Sequence, residues 1–368
     1  MFNRILVPLD GSTLAERALP HAEEFARIFG STIILLQVLD PTSFHENPNP
    51  VDPLSWQIRK TEADIYMNNI ASRLRKDLRK SVIDIIGSQK RQRDDEKILV
   101  EYSIREGKTA ESIVNFAHSE NIDMVILCTH GSGGLSRWNI SSVTQKVINI
   151  VYLPVLIVRA YNQPDTENAS VRYYRILIPM DSSRRAECVF AAGIALAQGE
   201  TLLEHAGEDF LSGTELPLLK PVVPPTETIN KEPILILAAV ISPPEIPIPA
   251  PYPVEISRLS DKLLHISREI VSTYLSEVKL RLPVESETRV IESNNISSAI
   301  QNLANNENID LILMCAHGYT GETTRPFGNV TRNIIDHGTT AILIIQDVPL
   351  SQVRPTAAAI AAQKSGRR

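Results

Sequence analysis

The residues best suited to bind a polar ligand lie in two short segments, each following a run of apolar residues. Asp10 follows RILVPL, and Gly131 belongs to ILCTHGSGG, in which an apolar run opens into small residues. Glycine lets a ligand approach the backbone closely, and the N-terminus of a following helix attracts phosphate. The segment therefore predicts either a phosphate-binding loop or a simple turn.

The same groups recur later in the chain. RILVPLD returns as RILIPMD, which ends at Asp181, and ENIDMVILCTHG returns as ENIDLILMCAHG, which ends at Gly318. The apolar run VLIV likewise returns as ILII. This recurrence indicates two copies of one unit, here called the first half and the second half.

The elements that must position these residues alternate between short apolar runs and amphipathic stretches. In the first half, strands are predicted at 5–8, 33–39, 99–104, 124–128 and 155–158, and helices at 13–29, 55–80, 109–119 and 142–151. Near-continuous apolar strands separated by helices predict an α/β fold with a parallel sheet covered on both faces. If the first and fourth strands are neighbours, Asp10 and Gly131 border one crevice beyond the strand ends.

The predicted domain organisation follows from the repeat. We expect a first domain at 1–160, a linker at 161–171, a second domain at 172–347 and a flexible tail at 348–368. The second domain carries a proline-rich insert at 212–254, which cannot form a continuous helix or central strand. It is predicted to form extended loops around one strand at 234–241, and the charged segment 87–97 to form an exposed loop.

Composition narrows the function classes. The chain has 368 residues, a net charge of −6 and three cysteines without a CxxC pair. The basic residues are dispersed, which disfavours a nucleic-acid partner. The most apolar run, 233–242, is shorter than the ~20 residues of a membrane-spanning helix. We expect a soluble cytoplasmic protein with no membrane partner.

Together these motifs resemble the universal stress protein family in a tandem, two-domain form. The resemblance rests on RILVPLDGS, ENIDMVILCTHG, SGGLSRW and SSVTQKVINIVYLPVLIV, and it spans most of 1–160 and 172–347. It implies an open parallel five-stranded sheet in each half, of the Rossmann-like kind seen in adenine nucleotide alpha hydrolases. It also implies an adenine-nucleotide site in the crevice, which would take ATP together with Mg.

ATP-binding members of that family show Gly-x-x-Gly, nine residues, and then Gly-Ser/Thr. The four positions hold Cys128, Gly131, Ser141 and Ser142 in the first half, and Cys315, Gly318, Gly328 and Asn329 in the second. Each half matches at two positions, and they are not the same two. The other positions that the resemblance assigns to the site are Pro8, Asp10, Val38, Leu127 and Val143, and Pro179, Asp181, Val240, Met314 and Val330.

The departures from the pattern have physical consequences. A cysteine at the first position places a Cβ and a sulfur where a nucleotide would press against glycine. Ser142 heads a helix whose free N–H groups attract phosphate, and Asn329 can supply an N-cap but no hydroxyl. The resemblance therefore favours nucleotide binding in the first half over the second. Since Asp10 would repel phosphate, it would meet ribose hydroxyls, the base or a bound cation.

Purely structural roles compete with these interpretations. Ser142 and Gln145 have the spacing of a capping box, which explains that pair at least as well as a phosphate site. Asp10 and Asp181 could be helix N-caps, although their recurrence slightly favours a binding role.

The recurring histidines and cysteines also have simpler explanations. His130 and His317 are interpreted as turn residues because a second ligand at metal spacing is lacking. Cys128 and Cys315 are interpreted as small, half-buried strand-end residues, and a redox role would require a lowered pKa.

Two functions remain open. The first is a non-enzymatic stress-response protein with at most weak ATP hydrolysis. In it, a nucleotide bound in at least one half acts as a conformational signal, and binding orders loops 132–140 and 319–327. The alternative is a nucleotide-independent interaction module that uses the proline-rich insert for docking. The final strands, 155–158 and 342–345, are predicted to pair within the chain as a pseudo-dimer, which would cover an exposed sheet edge; a homodimer is a further alternative.

Overall fold

The computed structural model describes residues 1–41, 53–86, 99–130, 140–160, 171–199, 232–247, 251–319 and 326–347. The predictions for the charged loop at 87–97, most of the linker, much of the proline-rich insert and the tail from 348 lie outside the described residues. Within the described ranges, no helix is both long and apolar enough to cross a membrane.

The strands and helices alternate in both halves. The first half contains β1 (Arg4–Leu9), α1 (Thr13–Glu16), α2 (Leu19–Phe29), β2 (Thr32–Leu39), α3 (Pro53–Ile86), β3 (Val100–Glu106), α4 (Thr109–Ser119), β4 (Met124–Cys128), α5 (Ser142–Ile148) and β5 (Val155–Val158). The second half contains β6 (Arg175–Met180), a 3-10 helix (Ala186–Val189), α6 (Phe190–Gln198), β7 (Ile234–Ile241), α7 (Val254–Arg281), β8 (Ser286–Glu292), α8 (Ile296–Asn306), β9 (Leu311–Cys315), α9 (Asn329–His337) and β10 (Ala341–Ile345).

The ten strands form one sheet in the order β3-β2-β1-β4-β5-β10-β9-β6-β7-β8. Each half contributes five parallel strands, and the two sets meet in an antiparallel β5–β10 pair. Side chains on both faces are buried, in two apolar clusters on opposite sides of the sheet. The α/β fold is confirmed, and the two predicted sheets are continuous because their last strands bond to each other.

The predicted neighbours also pair. β1 lies parallel to β4, with Ile5 opposite Met124, and β6 lies parallel to β9, with Ile176 opposite Leu311. The chain therefore reverses its strand order between these strands in each half, which opens a crevice at their carboxyl ends.

An aspartate before the fourth strand of each half fixes this arrangement. Asp123 accepts hydrogen bonds from the backbone N–H groups of Asn3 and Arg4, at 2.8 and 3.0 Å. Asp310 accepts from Tyr174 and from the first residue of β6, at 2.8 Å each. These contacts tie the start of the first strand to the start of the fourth.

The continuous helix predicted at 13–29 is wrong. The segment forms α1 and α2, with a turn at Arg17 and Ala18 between them. Pro20 lies in the first turn of α2, where its missing N–H costs nothing, whereas inside a longer helix it would remove a hydrogen bond.

The halves contact each other well beyond the paired strands. In the β5–β10 pair Leu156 lies opposite Leu343. Arg159, which is 4% exposed, donates to the carbonyl oxygens of Ile334 at 2.8 Å and Thr340 at 3.3 Å. The two halves are therefore joined within one chain as a pseudo-dimer.

A buried aromatic cluster forms a second contact between the halves. Nδ1 of His21, in α2, lies 2.5 Å from the hydroxyl of Tyr173, which precedes β6. The ring of Phe25 meets Tyr173 edge-on, with centroids 6.1 Å apart. Burial lowers the pKa of His21 to about 4, so His21 is neutral near pH 7.

Replacing Arg159 with methionine should weaken the contact between the halves. Arg159→Met keeps most of the apolar stem but removes both hydrogen bonds. The carbonyl of Ile334 still accepts from the N–H of Gly338 at 2.8 Å, whereas that of Thr340 loses its Arg159 donor, so we expect a loss of about 1–3 kcal/mol in the free energy of unfolding. Urea unfolding followed by circular dichroism measures the loss. Arg258→Met, on an exposed position of α7, is the matched control, and an equal loss in both variants would contradict the role of Arg159.

Acidification should destabilise the protein through His21. The folded pKa of about 4 lies below the ordinary value of 6.5, so the unfolded chain binds the proton more readily. The free energy of unfolding contributed by His21 is then lost as the pH falls from 6.5 towards 4, by roughly 3 kcal/mol in total. Urea unfolding across this range should show a shallower pH dependence for His21→Leu; parallel curves would refute the assignment.

Candidate functional site

A cavity of about 660 Å³ lies beyond the carboxyl ends of β6 and β9 in the second half. Its size falls in the usual range of small-molecule sites. All nine second-half positions assigned from the sequence line it, namely Pro179, Asp181, Val240, Met314, Cys315, Gly318, Gly328, Asn329 and Val330. The structure thus brings together residues that lie far apart in the chain.

The carboxylate of Asp181 joins the two sides of this crevice. Its Oδ1 accepts from the N–H of Ser183 at 3.0 Å, and its Oδ2 accepts from the N–H of Tyr319 at 2.5 Å. The N-cap of the 3-10 helix is Arg185, and the Oγ of Ser183 accepts from the N–H of Ala186, the first residue of that helix, at 3.2 Å. The N-cap interpretation of Asp181 is therefore wrong.

The first half repeats this local arrangement. Ser12 caps α1 by accepting from the N–H of Ala15 at 3.2 Å. Asp10 accepts from the N–H and the hydroxyl of Ser12, at 3.0 and 2.6 Å. Asp10 is thus not the N-cap either; it orients the residue that is.

Gly318 permits the contact between Asp181 and Tyr319. A Cβ at Gly318 would lie 2.6 Å from Oδ2 of Asp181, too close for the carboxylate to stay in place. A Cβ at Gly328 would meet its nearest atom, the carbonyl oxygen of Ala316, at an ordinary 3.6 Å. A methyl group at Gly318 therefore requires Asp181 to move, whereas one at Gly328 meets only ordinary contacts.

Gly328 is the N-cap of α9, and its N–H donates to the carbonyl of Ala316 at 2.8 Å. The prediction that Asn329 supplies the cap is wrong, because Asn329 is the first residue of the helix. The hydroxyl of Thr331 donates to the carbonyl of Cys315 at 3.1 Å, which fixes the helix start against the end of β9. The first turn of α9, with its free N–H groups, therefore forms one wall of the cavity.

His317 at the cavity wall has a buried acidic partner. Its Nδ1 lies 2.7 Å from Oδ1 of Asp347, and Nε of Arg185 lies 3.6 Å from the other carboxylate oxygen. Burial by itself would raise the pKa of Asp347, but the hydrogen bond and charge of His317 hold that pKa below its ordinary value. The sequence repeat does not reveal Asp347, because Ala160 stands at the corresponding position of the first half.

The described first-half residues occupy equivalent positions around the ends of β1, β2 and β4. Pro8 lies in β1 with Asp10 just after it, Val38 lies in β2, Leu127 and Cys128 end β4, and Ser141, Ser142 and Val143 lie at the start of α5. Gly131 and residues 132–139 lie outside the described residues. The crevice of the first half is therefore described only on its strand and helix sides.

The capping box predicted for Ser142 and Gln145 is wrong. The N-cap of α5 is Ser141, whose Oγ accepts from the N–H of Thr144 at 3.1 Å. Thr144 in turn donates its hydroxyl to the carbonyl of Cys128 at 3.0 Å, as Thr331 does in the second half. Ser142 is the first helical residue, and its exposed side chain is not used for capping.

Comparison with known proteins agrees with the repeat. The model of the Universal stress protein family matches residues 1–159 and 230–346. Universal stress protein MJ0577 of Methanocaldococcus jannaschii is 28% identical over 162 residues, which cover 44% of this chain and 98% of that protein. Universal stress protein YxiE of Bacillus subtilis is 25% identical over 159 residues, covering 43% of this chain and 100% of that protein. Single-unit relatives thus match less than half of a duplicated chain.

Solved structures share the fold across both halves. The crystal structure of a universal stress protein from Archaeoglobus fulgidus superposes with a TM-score of 0.53 at 15% identity, covering 94% of this chain and 96% of that one. The structure of the functionally unknown protein PA1789 from Pseudomonas aeruginosa gives a TM-score of 0.56 at 14% identity, covering 99% and 96%. At such identities the likeness concerns the fold alone.

The two glycines of the second half should differ in their tolerance of a methyl group. Gly318→Ala must displace Asp181 from Tyr319, so we expect it to lower the free energy of unfolding by about 1–3 kcal/mol. Gly328→Ala meets no close atom and should cost less than about 1 kcal/mol as a poorer N-cap. Urea unfolding of both variants tests this, and a larger loss for Gly328→Ala would overturn the packing argument.

Proposed function

The chain belongs to the universal stress protein family, and we propose that it binds an adenine nucleotide in the cavity of its second half. The observation that carries the proposal is the convergence of all nine second-half positions, assigned from sequence alone, around one cavity of about 660 Å³. The sequence pattern had favoured the first half. The cavity supports the second, since Cys315 lies in its wall and leaves the space open.

The chemistry of the walls suggests how the nucleotide lies. The first turn of α9, at Asn329 and Val330, offers free backbone N–H groups and the positive end of the helix dipole to phosphate. Asp181 on the facing loop would repel phosphate and suits the ribose hydroxyls. Val240 and Met314 supply apolar surface for the base. Both oxygens of Asp181 already accept backbone hydrogen bonds, so we do not expect Asp181 to bind Mg²⁺. The ion would instead arrive bound to the phosphates of ATP.

Binding can act as a signal only if the nucleotide has different affinities for two states of the protein. Asp181 offers a physical origin for that difference. A ribose hydroxyl that donates to Oδ2 competes with the N–H of Tyr319, whose side chain is 81% exposed at the cavity mouth. Release of Tyr319 from Asp181 would change the loop after β9 without any chemical step. Such a signal fits a non-enzymatic role in the stress response, which we place in the cytoplasm.

The site can be tested with a matched pair of variants. Equilibrium dialysis of the intact chain with labelled ATP should show binding, and Asp181→Ala should weaken it at least about tenfold, as expected when a charge-assisted hydrogen bond is lost. Asp10→Ala, the corresponding change in the first half, should leave this affinity unchanged. Loss of binding in Asp10→Ala alone would move the site to the first half.

A second pair of variants tests whether the nucleotide occupies the cavity, without disturbing the hydrogen bond between Asp181 and Tyr319. Val240→Phe fills the cavity while keeping the hydrogen bonds of Asp181, and it should also abolish binding; Val38→Phe is its first-half counterpart. If the unmodified chain binds no ATP at millimolar concentration, the nucleotide proposal is wrong and the interaction-module alternative is favoured.

A further inference from the structure

Two cysteines that are distant in sequence meet beside the cavity. The Sγ atoms of Cys188 and Cys315 lie 3.5 Å apart, and both residues are free thiols. Cys188 lies on the 3-10 helix after β6, and Cys315 is the last residue of β9. Because a disulfide has an S–S distance of about 2.05 Å, the sulfurs need to approach by only about 1.5 Å to bond.

The surroundings make one thiol the better nucleophile. Cys188 is partly exposed, whereas Cys315 is buried at the wall of the cavity. In the structure the Cys188 thiol donates to the sulfur of Cys315. When Cys188 ionises, the Cys315 thiol can donate in return and stabilise the thiolate, which lowers the pKa of Cys188. The same pairing, with burial, raises the pKa of Cys315. Cys188 is thus suited to the first attack. Cys315 lies 3.5 Å from it, which places the second sulfur within reach of the oxidised one.

We propose that Cys188 and Cys315 form a reversible oxidation site, at which a hydroperoxide closes an intramolecular disulfide. The Cys188 thiolate attacks a peroxide oxygen; the O–O bond breaks, and Cys188 becomes a sulfenic acid. Cys315 then attacks the Cys188 sulfur, forming the S–S bond and breaking the S–O bond. The two thiols lose two electrons and two protons, and hydrogen peroxide is reduced to two molecules of water. A dithiol reverses the reaction by exchange.

The first half contains a natural control. Cys128 ends β4 as Cys315 ends β9, and it is buried to a similar extent, 8% against 6% exposed. Arg17 stands where the second half has Cys188. Burial raises the pKa of Cys128 to about 11. The two halves therefore offer the same strand-end thiol with and without a cysteine partner.

The disulfide would link the segment after β6 to the end of β9. These are the two strands whose carboxyl ends frame the cavity, so oxidation would fix the cavity walls relative to each other. This site needs no nucleotide, and its test is independent of the proposed function.

The experiment uses the intact chain, reduced, freed of reductant and treated with hydrogen peroxide. Free thiols are counted after denaturation, and peptides are mapped by mass spectrometry without reduction. We expect the thiol count to fall from three, the number of cysteines in the chain, to one, with the loss of two hydrogen atoms and a linked peptide pair containing Cys188 and Cys315. Dithiothreitol should restore all three thiols.

Three single substitutions complete the test. Cys128→Ser should form the same disulfide as the unmodified chain, whereas Cys188→Ser and Cys315→Ser should form no intramolecular link. The decisive measurement is made on the unmodified chain, so a misfolded variant cannot obscure it. Three remaining thiols, a link through Cys128, or sulfinic acid without a link would each overturn the proposal.

Discussion

In each half, an aspartate before the fourth strand accepts two backbone hydrogen bonds from the start of the first strand. Asp123 and Asp310 thereby hold two strands side by side that are separated in sequence by two other strands and their helices. The carboxyl ends of these strands then lie together, and loops that follow them share one crevice. Without this adjacency, Asp181 could not bond to the loop that contains Gly318, and the cavity would have no opposing walls.

The antiparallel pairing of β5 and β10 covers two strands that would otherwise lie at sheet edges. A short, apolar edge strand exposes unpaired backbone groups, which can pair with another chain and cause aggregation. Here each half covers the last strand of the other, and Arg159 and the His21–Tyr173 contact extend the interface beyond the strands. The two crevices lie on either side of this central pair.

Much of the architecture was predictable because it depends on local patterns. Apolar runs bounded by polar residues located the strands, and the recurrence of Asp10 as Asp181 identified one wall of the crevice. The errors concern features that local patterns determine weakly. Two adjacent serines both suit a helix cap, and only the backbone geometry selects Ser141. The contacts of His317 with Asp347 and of Cys188 with Cys315 join distant segments. The first half has Ala160 and Arg17 at the positions of Asp347 and Cys188, so the repeat could not reveal these contacts.

Joining the two halves in one chain has an evolutionary consequence. In an assembly of two identical chains, every substitution in a binding crevice occurs in both copies, and the assembly dissociates on dilution. In this chain the partner is tethered at a fixed effective concentration, and the two crevices can change independently. The serine pair at 141–142 and the Gly328–Asn329 pair occupy equivalent positions yet differ in chemistry. A single molecule can in this way carry two crevices of different chemistry, each open to its own substitutions.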